Sequence, residues 1–391
     1  MSDEKTGRPG LKLALLVAAT VLGLLGTDLV LPAVPSLPES LGGDAAAAQL
    51  VLAAYVGGTS IGLLAFGALG DRFTTRGLIV ASLLLTAATS FACAASPTIE
   101  ALIALRAVQG AAAAGPAVFA PAVVRAMFDE RRAVRALGAL GSIESLAPAL
   151  APILGVWLLG IGGWTLSFEL MGTLALALAA LNLAFPLVPQ AIRRPSGRYM
   201  RLATDPIYLR YALSQAFVLG GVLVFVFGAP AVLVRSFGGT LTDFIVMQVA
   251  GIATFIAAAN FAGGLAARFG AERMIVTGTG AAAAGAGAML AYALAGGSSA
   301  LWVTALFVPV NTGLGLRGPP GFYRAVIAAR GDDARGSALV ILAIMAATAL
   351  GTAAVAPFID RGLAPLALAA LLLQLAAMAC LVALPKLPEP G

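Results

Sequence analysis

The chain of 391 residues contains no histidine. That removes the commonest metal ligand and the one side chain that titrates near neutral pH without help from its surroundings. Proton chemistry would have to fall to carboxylates. Only two cysteines occur, Cys93 and Cys380, each alone within an apolar run. Two isolated thiols indicate neither a disulfide framework nor a metal site and read as small packing residues. Charge is scarce as well, at 11% of residues. No nucleophile–base pair stands out, and no Gly-x-x-x-x-Gly-Lys-Ser/Thr phosphate loop occurs. The sequence therefore argues against an enzyme, against a bound cofactor and against ATP drive within the chain.

What the chain has in abundance is apolar surface, 60% of its residues. A soluble domain could not bury so much, whereas a bilayer supplies an apolar solvent. Long Ala/Leu/Val/Gly runs without strand-like alternation predict helices rather than a barrel. The run from Leu11 to Leu31 is too long for a signal-peptide core and reads as a retained first helix. Further runs fall near 47–69, 78–96, 99–122, 136–160 and 164–187. After a basic stretch come runs near 207–233, 243–267, 274–295, 299–327, 335–358 and 363–384. The expectation is an all-α membrane protein of twelve transmembrane helices. An N-terminal six-helix bundle would span 1–187, a cytoplasmic basic linker 188–206, and a C-terminal six-helix bundle 207–391.

The net charge of +6 is not read as a nucleic-acid signal, because topology explains its distribution. With the N-terminus inside, 20 of the 24 basic residues fall in cytoplasmic segments and only Arg235 and Arg361 outside. This bias predicts that both termini are cytoplasmic. The expected location is a bacterial-type inner membrane, crossed many times.

One short charged hinge organises the chain: Gly67-Ala68-Leu69-Gly70-Asp71-Arg72-Phe73-Thr74-Thr75-Arg76-Gly77. A weaker copy, Gly263 to Arg273, begins 196 residues later, matching at Gly, Leu, Arg and Phe. A repeat at half the chain length suggests two copies of one membrane unit, as transporters often have.

The remaining charges lie inside apolar runs: Asp28, Glu144, Arg106 and Arg317. Lipid makes such groups costly, so they are the functional candidates. Asp28 precedes Leu31-Pro32-Ala33-Val34-Pro35 near the outer end of helix 1. Arg106 lies about 12 Å below the outer surface in helix 4, and Gln109 follows on the same side. Glu144 begins a face of helix 5 that continues through Pro148, Pro152 and Gly155. Arg317, in helix 10, matches Glu144 in depth, so an ion pair between them is an expectation. Simpler roles stay open: an interfacial Asp28, a structural ion pair at Arg106, a packing lock at Glu144, or anion binding at Arg317. Tyr55, Gln49, Gln215 and Gln248 are polar-pocket residues or interhelical glue. Glu169 and Asp243 read as solvated carboxylates at outer helix ends.

Together these residues resemble the major facilitator superfamily, in particular the bicyclomycin and chloramphenicol resistance branch of its drug:proton antiporters. Gly67, Leu69, Asp71, Arg72 and Arg76 match the superfamily loop; Thr74 and Thr75 depart from it. Asp28-x-x-Leu31-Pro32-Ala33-x-Pro35 is similar to the branch's helix 1, with Val30 replacing a tyrosine. Arg106-x-x-Gln109-Gly110 resembles the helix 4 signature. Ala147-Pro148-x-x-Ala151-Pro152-x-x-Gly155 resembles the helix 5 antiporter signature, and Gly163-Trp164 with Phe168 continues the likeness.

The resemblance implies a proton-coupled exporter of small amphipathic compounds, drugs among them, working as a monomer by alternating access on the proton gradient. It implies a conformational latch at Gly67, Asp71, Arg72 and Arg76, and a cavity holding Asp28, Tyr55, Arg106, Gln109, Glu144 and Arg317. Export of an endogenous metabolite is the alternative within transport. A non-transporting receptor or scaffold is the alternative outside it. Arg317 departs from the branch, which has apolar residues there, and so bears on which compounds are handled.

Overall fold

The computed structural model describes residues 9–70, 72–128, 150–184, 199–330 and 332–387. Ten of its helices are long and apolar enough to cross a membrane, and the described residues contain no strand. Contacts divide the chain into two compact units. One comprises residues 1–43 and 54–195; the other comprises 44–53 and 196–391.

In the first unit α1 runs Pro9–Asp28. The Leu31-Pro32 and Pro35 imides lack an N–H donor, and the chain there tightens into a 3-10 turn, Leu31–Ser36. The short α2, Leu37–Leu41, follows. Next come α3, Ala45–Leu69, of which residues 45–53 belong to the second unit, α4, Thr75–Ala94, and α5, Ile99–Ala113. Threonines start two of these helices: Thr74 accepts from the Gly77 N–H, and Thr98 from the Ala101 N–H. A single helix was expected over 99–122. It is instead divided at Ala114, and α6, Gly115–Met127, continues it. Gly115-Pro116 sits at the division, where proline suits the first turn of the new helix. Helix α7, Leu150–Gly162, is the described part of the fifth apolar run. Helix α8, Thr165–Ala184, ends the unit.

Glycine sets the distance between α3 and α5. A Cβ at Gly58 would lie 2.0 Å from the Ala107 carbonyl oxygen, at Gly62 2.2 Å from that of Ala111, and at Gly110 1.9 Å from that of Tyr55. The two backbones are in contact, as small residues permit in membranes.

The second unit opens with α9, Tyr199–Thr204, and α10, Pro206–Ala231. Asp205 caps α10 by accepting from the Ile207 and Tyr208 N–H groups. Helices α11, Leu241–Phe269, α12, Ala271–Leu294, and α13, Ala300–Ala328, follow. Asp243, expected to be merely solvated, forms a capping box with Thr240 at the start of α11. Helices α14, Asp333–Val355, and α15, Leu363–Ala383, complete the unit.

Helix α13 has 29 residues, but Asn311, Arg317 and three internal prolines lower its hydropathy. It packs along both α11 and α12. Its backbone meets α12 where a Cβ at Gly313 would lie 2.3 Å from the Gly278 carbonyl oxygen.

Candidate functional site

The densest polar cluster lies in the first unit. Arg106 is fully buried. Its guanidinium carbon lies 4.0 Å from the centre of the Tyr55 ring and 5.6 Å from that of Phe168. A cation over an aromatic face is attracted by the ring quadrupole, more strongly when water is excluded. Arg106 Nη1 donates to Gln109 Oε1 at 2.7 Å, and Gln109 Nε2 donates to Ser90 Oγ at 2.7 Å. The i, i+3 spacing on α5 brings the first pair together. The buried Cys93 thiol packs at the same amide, 3.8 Å from Gln109 Oε1.

Tyr55 ties this cluster to α1. Its hydroxyl donates to the Gly23 carbonyl at 2.6 Å. A Cβ at Gly26 would overlap that hydroxyl at 2.1 Å, so α1 leaves room for the ring only because residue 26 is glycine. Two residues on, Asp28 ends α1 and is 8% exposed. Arg106 and Asp28 are both within electrostatic reach of Tyr55. Among the described residues, no hydrogen bond or ion pair holds Asp28.

Helix α7 reaches the same place. A Cβ at Gly155 would lie 2.5 Å from the Leu29 carbonyl oxygen, and Ser167 Oγ of α8 donates to that oxygen at 3.3 Å. Helices α1, α3, α5, α7 and α8 are thus linked through one cluster, and each carries one of the sequence candidates or its neighbour. The cluster combines a fully buried cation with a nearly buried carboxylate at the end of α1. Arginine stays charged, so the carboxylate is the variable element.

Of the other candidates, Pro152 is buried on α7. Glu144 and Pro148 lie outside the described residues, as does Asp71. Arg72 is exposed. Arg76 has a definite role within its unit: it donates to the Asn182 carbonyl at 3.0 and 3.2 Å and to that of Leu183 at 2.8 Å. A cation there satisfies the open carbonyls at the end of α8. Gly67 offers open space, since a Cβ there meets nothing within 4 Å.

In the second unit Arg317 is fully buried. Its Nη1 donates to the Ser214 carbonyl at 2.9 Å and its Nη2 to Ser214 Oγ at 3.1 Å. Sequence reasoning missed this serine, because nothing in a lone Ser on an apolar helix announces a partner 103 residues away. It also missed the ion pair of Arg210 with Glu272, 2.9 Å apart with the two side chains 7% and 12% exposed. Tyr211 donates to the same carboxylate. Arg210 further donates to the Leu381 and Leu384 carbonyls at the end of α15. A signal was available: in the half-chain repeat Glu272 stands where the first copy has Arg76.

Comparison with known proteins accords with this architecture. An uncharacterized MFS-type transporter of Bacillus subtilis is 33% identical over 59% of this chain and 60% of its own length. A chloramphenicol resistance protein of Pseudomonas aeruginosa is 29% identical over 69% of this chain and 67% of its own. The chain thus spans about three fifths to two thirds of these relatives' length. The fold is similar to the crystal structure of a bacterial homologue of the human lysosomal transporter Spinster. That likeness has a TM-score of 0.74 at 12% identity and covers 96% of each chain. The Major Facilitator Superfamily model matches residues 16–352, most of the chain, and the chain belongs to that superfamily.

Proposed function

We propose that the protein is a proton-coupled exporter of small amphipathic compounds, drugs among them, that exposes its binding site alternately to the two sides of the membrane. The observation that carries this reading is Asp28: a nearly buried carboxylate, held by no ion pair among the described residues, in the unit that also buries the cation Arg106. Intramembrane carboxylates of this kind commonly serve proton pathways. The similarity to a chloramphenicol resistance protein supports export of such compounds.

In this mechanism a proton from outside neutralises Asp28, with Glu144 the second candidate. Loss of that charge alters the balance between the two states, and substrate leaves outward. No cofactor takes part; the proton gradient is the energy source. The protein works as a monomer in a bacterial inner membrane, with both termini in the cytoplasm.

The test uses inside-out vesicles energised by respiration. Accumulation of chloramphenicol, or of a substrate found by growth screening, should collapse with a protonophore. Asp28→Asn should leave substrate binding but remove its dependence on the gradient. Transport unchanged in both experiments would refute the coupling.

A further inference from the structure

Among the described residues Arg317 is a buried charge without a counter-charge. Its two hydrogen-bond partners are the neutral groups of Ser214. Among the described acidic side chains of its unit, Glu272 is engaged by Arg210, Asp332 by Arg201 and Arg335, Asp205 as a cap that also meets Arg330, Asp243 in its capping box and Asp44 by the Ala47 N–H, while Asp360 is exposed. Yet the guanidinium cannot shed its proton to escape burial. A lone buried cation is among the costlier features a fold can carry.

The surroundings supply vacant hydrogen-bonding capacity as well. Arg317 Nε and Gln215 Oε1 are both buried without a partner. Between them stands Gly321, whose Cβ position would lie 3.0 Å from Arg317 Nη2 and 3.1 Å from Gln215 Oε1. One turn earlier Gly318 is buried, and a Cβ there meets nothing within 4 Å. Bare backbone at Gly321 and two buried polar side chains, each with an unpartnered atom, thus meet at one place on α13 and α10. The Gln215 amide can rotate to present its N–H₂ instead of its oxygen. Guanidinium and amide would then both donate.

We infer that Arg317, assisted by Gln215, binds the carboxylate of an anionic cargo molecule. The inference rests on the transport reading for the identity of its occupant. A planar guanidinium fork matches a carboxylate. An anion would supply the missing counter-charge and the missing acceptor for Nε.

The experiment uses the purified full chain in detergent and two matched pairs: chloramphenicol succinate with chloramphenicol, and 4-butylbenzoate with its methyl ester. Affinity is read by calorimetry and the thermal midpoint by fluorescence. At least one carboxylate should bind about tenfold more tightly than its neutral partner. Arg317→Met should erase that preference without lowering the ligand-free midpoint, because it removes an uncompensated charge. Gln215→Leu, a milder change, should weaken carboxylate binding about threefold.

The inference falls if neither carboxylate is preferred, or if Arg317→Met or Gln215→Leu leaves the preference intact. It also falls if inorganic phosphate alone gives the full stabilisation. Restoration of transport by the swap Glu144→Arg with Arg317→Glu would assign the counter-charge to Glu144 and overturn it too. Uptake of the same pairs into proteoliposomes, with and without a protonophore, tests the export reading separately. Carboxylate binding without gradient-driven transport would sink that reading and leave this one standing.

Discussion

Among the described residues each unit buries one arginine completely, but the two are furnished differently. Arg106 lies over the Tyr55 ring, binds Gln109, and through it reaches Ser90. Arg317 has Ser214 alone and keeps an unpaired Nε. The first is held in one geometry by a ring and a side-chain network. The second is held by the backbone carbonyl and hydroxyl of one residue. Burial alone therefore does not say how a charge is held; the neighbours do.

The same contrast appears where the last helix of each unit ends. In the first unit Arg76 reaches the α8 carbonyls directly. In the second, the matching position is Glu272, which holds Arg210, and Arg210 reaches the α15 carbonyls. One guanidinium in the first unit is replaced by a carboxylate–guanidinium pair in the second. The end of the helix is satisfied either way, as open carbonyls require.

The sharpest test of this contrast is Arg210→Ala against Arg76→Ala. Removing Arg210 strands Glu272 at 12% exposure, which typically costs about 3–5 kcal/mol. A clear fall in the thermal midpoint of the purified protein is expected. Glu272→Gln in the same background should recover part of it. Arg106→Lys comes next. A lysine keeps the charge but loses the flat contact with Tyr55 and the fork, at about 2–4 kcal/mol. Arg317→Lys should cost less, and equal midpoints for the two would erase the distinction drawn here.

Packing gives the third comparison. Gly110→Ala would place a methyl 1.9 Å from the Tyr55 carbonyl oxygen and should destabilise by about 1–3 kcal/mol. Gly318→Ala, with open space around it, should not lower the midpoint. Arg76→Ala is the smallest effect. It removes bonds to carbonyls that water can partly replace, about 1 kcal/mol, and is read as the shift in urea or thermal midpoint relative to Arg210→Ala.

The sequence by itself determined the membrane class, the helical content and the superfamily. Lipid leaves a chain few options: the backbone must bond to itself, and polar side chains stand out against an apolar background. For that reason Asp28, Arg106 and Arg317 could be singled out before any packing was known. The same logic marked the hinge at Gly67–Gly77 as a turn.

The tertiary structure decided who touches whom. Tyr55 meets the Gly23 carbonyl 32 residues away, Arg76 the Asn182 carbonyl 106 away, and Arg210 the Glu272 carboxylate 62 away. Such pairings depend on helix rotation and crossing, which are set by close contacts such as Gly110 on Tyr55 and Gly278 on Gly313. Hydropathy is blind to them, because a helix turned about its own axis keeps the same composition while exchanging every neighbour.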